Sequence, residues 1–230
     1  SISRMRKGYV PPAAATDSSK SYGWSFLLKQ IQDGVRYIRS NHSIIPLYVI
    51  MLFLTMTIRT INSLLGPFVQ DVLHAGTEGF GYIDASFALG SIAGGILLPV
   101  IFRRVGQVRA MTGGLFLIAL GLGFFSVSFA VWFAMFAYFL MGLAFQVRVM
   151  YVTAAQQKTD LEYQGRVHAT FNMFFSIASL LIYVVIGVLS EMVNLRWIYM
   201  FQGVLLAMAG LYAVLLFRSS KTNKSASSAA

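Results

Sequence analysis

The feature that most constrains this chain is a series of six long apolar stretches. They cover residues 44–69, 79–102, 110–128, 130–152, 167–189 and 195–217, so each is 19 to 26 residues long. An α-helix rises 1.5 Å per residue, and about 20 helical residues therefore match a hydrocarbon core roughly 30 Å thick. The sequence predicts an all-α polytopic membrane protein, with a six-helix transmembrane domain over residues 44–217.

The composition agrees with this prediction and argues against other classes of protein. Of the 230 residues, 57% are hydrophobic and only 11% are charged, whereas soluble proteins have about 25% charged residues. A soluble enzyme, a disordered chain and a secreted module are therefore disfavoured. The chain has no cysteine, which excludes disulfides, thiolate nucleophiles and Cys-ligated zinc.

The basic residues indicate how the helices are oriented. Of the 18 Lys and Arg residues, seven precede the first stretch, three follow the second, two follow the fourth and three follow the sixth. These fifteen fall on one side of the membrane, and the other side has only Arg196. Because cytoplasmic loops carry the excess of Lys and Arg, both termini are predicted to be cytoplasmic. The net charge of +10 follows this topology and gives no reason to expect nucleic-acid binding.

Three segments flank the six stretches. Residues 1–23 are rich in Pro, Ala, Ser and Gly, which predicts a cytoplasmic linker. Residues 24–43 have apolar side chains at helical spacing and predict an amphipathic helix. That helix lies along the membrane surface or caps the cytoplasmic ends of the spans. Residues 218–230 are polar and low in complexity, which predicts a disordered cytoplasmic tail.

The first span carries a charge at membrane depth. Only residues 44–58 are free of charge, and about 22 Å of helix is too short to cross, so Arg59 must lie within the membrane. Such a charge costs at least roughly 2.5–3.5 kcal/mol and usually faces a water-filled cavity or another polar group. One helical stripe of this span contains Tyr48, Thr55, Arg59, Asn62 and Gly66. The stripe predicts either a lined pathway or a polar contact between helices.

The second span carries Asp84, for which the sequence leaves two roles open. An ion pair with Arg59 is the structural alternative, because the long Arg side chain can reach toward it. The functional alternative is a carboxylate that takes up and releases a proton. The same span has Gly90 and Gly94, a pair of small residues that predicts close packing of two helices.

The fourth and fifth spans have weaker polar stripes. On the fourth, Tyr138, Met141, Phe145 and Arg148 share a face, and Gln146 lies among them. Arg148 is near the cytoplasmic end, so its side chain either lines the pathway or reaches the lipid headgroups. The fifth-span stripe is interpreted as contact between helices, and it consists of Asn172, Ser176, Ser179, Tyr183 and Gly187.

Together these features resemble the C-terminal half of a major facilitator superfamily transporter. The resemblance covers nearly the whole chain and is closest to the bacterial exporter group that includes macrolide efflux proteins and the enterobactin exporter. It rests on LLKQIQDGVRYIRS (27–40), LTMTIRTINSLLGPFV (54–69), FALGSIAGGILLPVIFRRVGQ (87–107) and QGRV (164–167).

The resemblance implies a fold and a site. The six helices are expected to form two inverted three-helix repeats, half of a twelve-helix fold, with the first and fourth spans lining a central cavity. Asp84 is then the proton-coupling candidate. The implied substrate pathway consists of Tyr48, Thr55, Arg59, Asn62, Tyr138, Phe145, Gln146 and Arg148.

The basic loop after the second span matches the family's loop signature only in part. Pro99 stands where Gly is usual and Arg103 where Asp is usual, while Arg104, Gly106 and Arg109 remain. The departure at these two positions argues against charge-relay gating through the loop, and the three arginines are expected to set topology.

The leading hypothesis is a proton-coupled exporter of a small organic solute, such as a drug or a siderophore, in the bacterial inner membrane. Arg59 favours anionic or chelating solutes. The expected partners are the solute, protons, the lipid bilayer and a missing N-terminal six-helix half, and no cofactor or metal is implied. A dimerising six-span protein is the alternative to a fragment.

Two other functions remain as alternatives. One is a membrane scaffold or channel subunit without active transport. The other, a membrane-embedded enzyme, is disfavoured because His42, His74 and His168 lie at span ends or in loops and no HExxH motif occurs.

Overall fold

Every element that the structure describes is a helix. The computed structural model describes the backbone of residues 24–227 and the side chains of residues 31–217. In chain order the elements are α1 (Trp24–Ser40), α2 (Ile45–Pro67), a π-helical turn (Phe68–Val72), α3 (Gly76–Val105), α4 (Gln107–Ser126), α5 (Val131–Phe145), α6 (Val147–Gln157), α7 (Leu161–Met192) and α8 (Leu195–Ser227). The predicted linker, residues 1–23, lies outside the described residues.

Six helical segments are long and apolar enough to cross a membrane. These spans are Ile45–Val72, Gly76–Val105, Gln107–Ser126, Val131–Gln157, Leu161–Met192 and Leu195–Phe217. The first consists of α2 and the π-helical turn, and the fourth consists of α5 and α6. The predicted all-α fold with six transmembrane helices is confirmed.

The last helix does not end with the last span. The sixth span ends at Phe217, but α8 continues to Ser227. The backbone of most of the segment that was predicted to be a disordered tail is therefore helical, and residues 228–230 lie outside the described part of the chain.

The helices have three irregularities, each of which occurs at a particular residue. Pro67 lacks a backbone N–H, and the first span changes from α- to π-helix directly after it. Gly106 alone joins α3 to α4, with a φ of 85° that glycine adopts without steric cost. The fourth span is interrupted at Gln146, which separates α5 from α6.

The closest helix packing occurs where glycines remove side chains. Gly90 and Gly94 of α3 lie against the backbone of α5, and Gly142 of α5 lies against the backbone of α3 at Phe87. A Cβ atom at any of these three glycines would clash with the facing main chain. The close approach predicted from Gly90 and Gly94 is confirmed.

A buried aromatic cluster joins four of the spans. Phe125 of α4 lies at its centre, with ring centroids 4.5 Å from Phe68, 4.6 Å from Tyr138 and 4.8 Å from Tyr199. All four side chains are at most 1% exposed. The cluster holds the first, third, fourth and sixth spans together at one level of the domain.

The amphipathic helix α1 docks on the N-terminal end of α7. The Tyr37 hydroxyl donates to the Asp160 carboxylate and accepts from the Asp160 backbone N–H, each at 3.1 Å. The Tyr37 ring stacks on Tyr163 with centroids 4.7 Å apart. Gly34 of α1 faces Thr170 of α7 closely. Helix α1 therefore caps the fifth span, which is one of the two positions that the sequence left open.

Candidate functional site

An exposed polar face on the first span includes Arg59. The side chains of Arg59, Asn62 and Ser63 on α2 are exposed, and Thr55 is half-buried. The Thr55 hydroxyl donates to the Met51 carbonyl of its own helix at 2.8 Å, so its proton is already engaged. Arg59 and Asn62 are three residues apart and lie on the same face. Part of the predicted stripe therefore faces an open surface of the domain.

Arg59 forms a hydrogen bond to the fifth span. Its Nη1 donates to the hydroxyl of Tyr183 on α7 at 3.2 Å. Its guanidinium carbon lies 5.9 Å from the centroid of the Tyr183 ring, within the range of a cation–π contact. The group that holds Arg59 in place is therefore the uncharged hydroxyl of Tyr183.

The ion pair between Arg59 and Asp84, one of the two alternatives for Asp84, does not form. Among the side chains of residues 31–217, the one ion pair within 4.0 Å joins Arg166 to Asp33, at 3.8 Å. Asp84 is exposed on α3, a helix that packs mainly on α5, whereas α2 packs on α6, α7 and α8. The Asp84 carboxylate therefore has no basic partner within 4.0 Å among the described side chains.

Tyr48 lies on the predicted stripe but is covered by a neighbouring helix. It is 3% exposed, and its ring stacks on Phe171 of α7 with centroids 3.5 Å apart and planes at 4°. The ring centroid of Phe175, also on α7, lies 6.4 Å from that of Tyr48. Tyr48 thus joins the first span to the fifth and does not face an open surface in this structure.

Tyr138 is also buried, inside the aromatic cluster. It is 1% exposed, and neither its hydroxyl nor that of Tyr199 has a hydrogen-bond partner within the described residues. The ring lies 5.9 Å from Phe87 in an edge-on arrangement. Helical spacing places Tyr138 on one face with Arg148, but Phe125 of α4 packs against Tyr138 and helps to bury it.

The remaining fourth-span residues surround the interruption of the helix. Phe145 is half-buried, with its ring 6.1 Å from Phe87. The side-chain amide of Gln146 donates to the Ser91 carbonyl of α3 at 3.0 Å. Arg148, two residues further on, is exposed. Gln146 therefore ties the interrupted point to α3, and Arg148 follows it with its charge accessible.

The basic connection between α3 and α4 is exposed. Arg103, Arg104, Gly106 and Arg109 all have accessible surfaces. None of the three arginines forms an ion pair with a side chain that the structure describes. Their position agrees with a role in topology and leaves them free for contacts outside this chain.

Tyr183 is the partner of Arg59 that sequence reasoning did not identify. The fifth-span stripe was interpreted as contact between helices, and Tyr183 was one of its members. The sequence did contain a signal for this role. The hydroxyls of Ser176 and Ser179 bond to the backbone of their own helix, whereas the hydroxyl of Tyr183 lies too far from its own backbone to do so.

No group of three or more His, Cys, Asp or Glu side chains in the described part of the chain is placed to hold a metal ion.

The sequence profile of the Major Facilitator Superfamily matches residues 47–230. This chain belongs to the Major Facilitator Superfamily. The match begins near the start of the first span and includes all of the others, so it agrees with the six helices of the structure.

One relative of this major facilitator chain is the uncharacterized MFS-type transporter YfmI of Bacillus subtilis (strain 168). The two are 28% identical over 199 residues, which are 80% of this chain and 46% of the relative. The chain therefore spans about half the length of the curated relative it matches.

Proposed function

We propose that this chain is half of a secondary active transporter that exports a small organic solute by proton coupling. The observation that supports the proposal most is the exposed guanidinium of Arg59, which lies within the first span and has no carboxylate partner among the described side chains. Family membership supports the transporter class. The proposal also specifies a drug or siderophore as the substrate, export as the direction and protons as the coupling ion.

The charge of Arg59 supports a water-filled pathway. A cation at membrane depth costs at least roughly 2.5–3.5 kcal/mol unless it is hydrated or balanced. The single hydrogen bond to Tyr183 supplies only part of that compensation. Water, or an anionic or chelating solute, would supply the rest. We place the solute pathway along Thr55, Arg59 and Asn62 of the first span and Gln146 and Arg148 of the fourth.

The buried members of the predicted pathway have a different place in this proposal. Tyr48 and Tyr138 join helices in this structure, so they would contact solute only after the helices rearrange. Phe145 is half-buried beside the fourth-span interruption. We therefore assign these three to the walls of the pathway.

The uncovered helices support a second half as partner. In the most apolar windows of α3 and α7, only 17% of the residues are buried within the chain, against 44% in the first, third and fourth spans. Both helices are thus left open for another surface. A preceding six-helix half would cover part of each, and lipid would cover the remainder.

Asp84 is our candidate for proton coupling. Its carboxylate is exposed and has no basic partner within 4.0 Å among the described side chains. A carboxylate without a permanent counter-charge can change protonation as its surroundings change, whereas an ion pair would hold it charged. This favours the proton-carrying alternative over the structural one.

The orientation belongs to the same proposal. We place both termini in the cytoplasm and the protein in the bacterial inner membrane. The docking of α1 on the end of α7 brings Arg36 and Arg39 to the same end of the domain as Lys158 and Arg166. This clustering of basic residues at one end supports a cytoplasmic location for that end.

The test is solute flux in proteoliposomes containing the intact transporter. An outward proton gradient, with the vesicle lumen more acidic than the medium, should drive uptake into inside-out vesicles. Arg59→Ala should reduce this uptake at least about tenfold, because the charge that binds the solute is lost. Arg39→Ala, which removes an exposed charge of α1, is the matched control and should stay near wild type. Flux independent of the proton gradient would refute the coupling, and unchanged flux in Arg59→Ala would refute the pathway. A scaffold would show no flux at all.

A further inference from the structure

The hydrogen bond between Arg59 and Tyr183 leaves both residues with unused donors. A guanidinium has five N–H groups, and one of them is directed at the Tyr183 oxygen. Because the phenol accepts this bond, its own O–H proton remains free. Tyr183 is 39% exposed and Arg59 is exposed as well. The pair therefore presents several N–H groups and one O–H group to the open face between α2 and α7.

Six of the Ser and Thr hydroxyls along these two helices are already engaged. Thr55, Thr57 and Thr60 each donate to a carbonyl one turn earlier in α2, and Thr170, Ser176 and Ser179 do the same in α7. Tyr183 makes no such bond, because its hydroxyl lies at the end of a long ring. Tyr183 therefore has a hydroxyl that can donate to a ligand on this face, as does the exposed Ser63, which lies one turn after Arg59 on α2.

An aromatic contact joins the same two helices about three turns away from the pair. Tyr48 of α2 stacks on Phe171 of α7 with ring planes at 4°, and both Tyr48 and Phe175 are buried. This aromatic contact holds α2 and α7 together about 16 Å along the helices from the pair. Donors that are held in place before a ligand binds lose less entropy on binding.

We propose that Arg59 and Tyr183 form a binding site for the carboxylate group of an organic monoanion. The guanidinium binds one carboxylate oxygen or both, and the Tyr183 hydroxyl donates to the carboxylate as well. The inference rests on the proposed transport function and names its substrate class. Tyr183 is the specificity-determining residue, since it adds a directional donor without adding charge.

The charge balance selects a monoanion. The pair carries one positive charge and no carboxylate lies within 4.0 Å of Arg59 among the described side chains. One carboxylate neutralises the guanidinium at membrane depth. A dianionic phosphate would leave one negative charge uncompensated there, and a cationic solute would add a second positive charge, so both are disfavoured. The exposed Tyr183 ring offers an apolar surface to the rest of the solute.

The test measures binding to the intact transporter in lipid nanodiscs by calorimetry, without any gradient. Benzoate is the probe, and benzamide is its neutral counterpart of nearly the same shape. Wild type should bind benzoate at least about tenfold more tightly than benzamide. Tyr183→Phe should weaken benzoate binding roughly tenfold, the loss expected for one hydrogen bond to a charged group, with little effect on benzamide.

Two further variants complete the experiment. Tyr212→Phe removes the hydroxyl of another exposed tyrosine, on α8, and should leave benzoate binding unchanged. Arg59→Ala should abolish the preference for benzoate over benzamide. Equal binding of the two probes by wild type, no benzoate binding, or unchanged affinity in Tyr183→Phe would each overturn the proposal. Binding is measured apart from flux, so a transporter with proton-driven flux but none of these effects would overturn this inference alone.

Discussion

Replacing Gly94 with alanine should force α3 and α5 apart. An ideal Cβ atom at Gly94 would lie 2.9 Å from both the Cα and the carbonyl carbon of Leu143, and closer still to the carbonyl oxygen. Carbon atoms in contact are about 3.5–4.0 Å apart, so the two backbones must separate by at least roughly 0.6 Å. No rotamer change can relieve this clash, because the obstacle is main chain.

The expected cost follows from that separation. Overpacking costs about 1–3 kcal/mol. A gap of about 0.5–1 Å also forfeits a quarter to a half of the dispersion energy of each contact that it opens. Separating the helices at Gly94 also opens the neighbouring contacts at Gly90 and Gly142. We therefore expect Gly94→Ala to lower the free energy of unfolding by about 2–3 kcal/mol, which raises the unfolding equilibrium constant roughly 30- to 140-fold.

The measurement is reversible unfolding of the intact protein in mixed detergent micelles, followed by tryptophan fluorescence. Gly95→Ala is the matched control, because Gly95 is the next residue of α3 and a Cβ there would have no heavy atom within 4 Å. This control should stay within about 0.5 kcal/mol of wild type. Equal stabilities of Gly94→Ala and Gly95→Ala would refute the argument that backbone contact between α3 and α5 requires glycine.

Two other predictions concern contacts of α1 and α8. Gly34→Val should release α1 from α7, because a Cβ at Gly34 would clash with Thr170. Amide hydrogen exchange in α1 should then accelerate at least about tenfold. Gly165→Val is the control and should leave the exchange rate unchanged, because a Cβ at Gly165 would meet open space. Gln202→Leu should lower the free energy of unfolding by about 0.6–1.7 kcal/mol, because it removes the buried bond from Gln202 to the Thr57 hydroxyl at 2.9 Å. A double-mutant cycle with Thr57→Val that gave no coupling energy would contradict this value.

Several features of the fold were predictable because they are local. Helical spacing placed Arg59 and Asn62 on one face of the first span, and both are exposed in the structure. The same spacing identified Gly90 and Gly94 as a surface for close packing. These features depend only on residues within a few turns of one helix.

Contacts between distant helices were not predictable in this way. The sequence suggested Asp84 as the partner of Arg59, but the hydroxyl of Tyr183, 124 residues away, binds it. Tyr48 and Tyr138 also lie on predicted polar stripes, yet α7 covers one and the aromatic cluster covers the other. A stripe specifies which side chains point in one direction, but it does not specify which helix lies there.

The sequence by itself determined six spans, the helical faces that carry polar side chains and the glycines that permit close approach. These follow from the length of apolar runs and from the helical period, both of which are properties of neighbouring residues. Only the tertiary structure decided which faces are covered, that α1 caps α7, and that Arg59 meets Tyr183. Those outcomes depend on how helices far apart in the chain pack, because burial and pairing are set by the surfaces that meet and not by the order of residues within one helix.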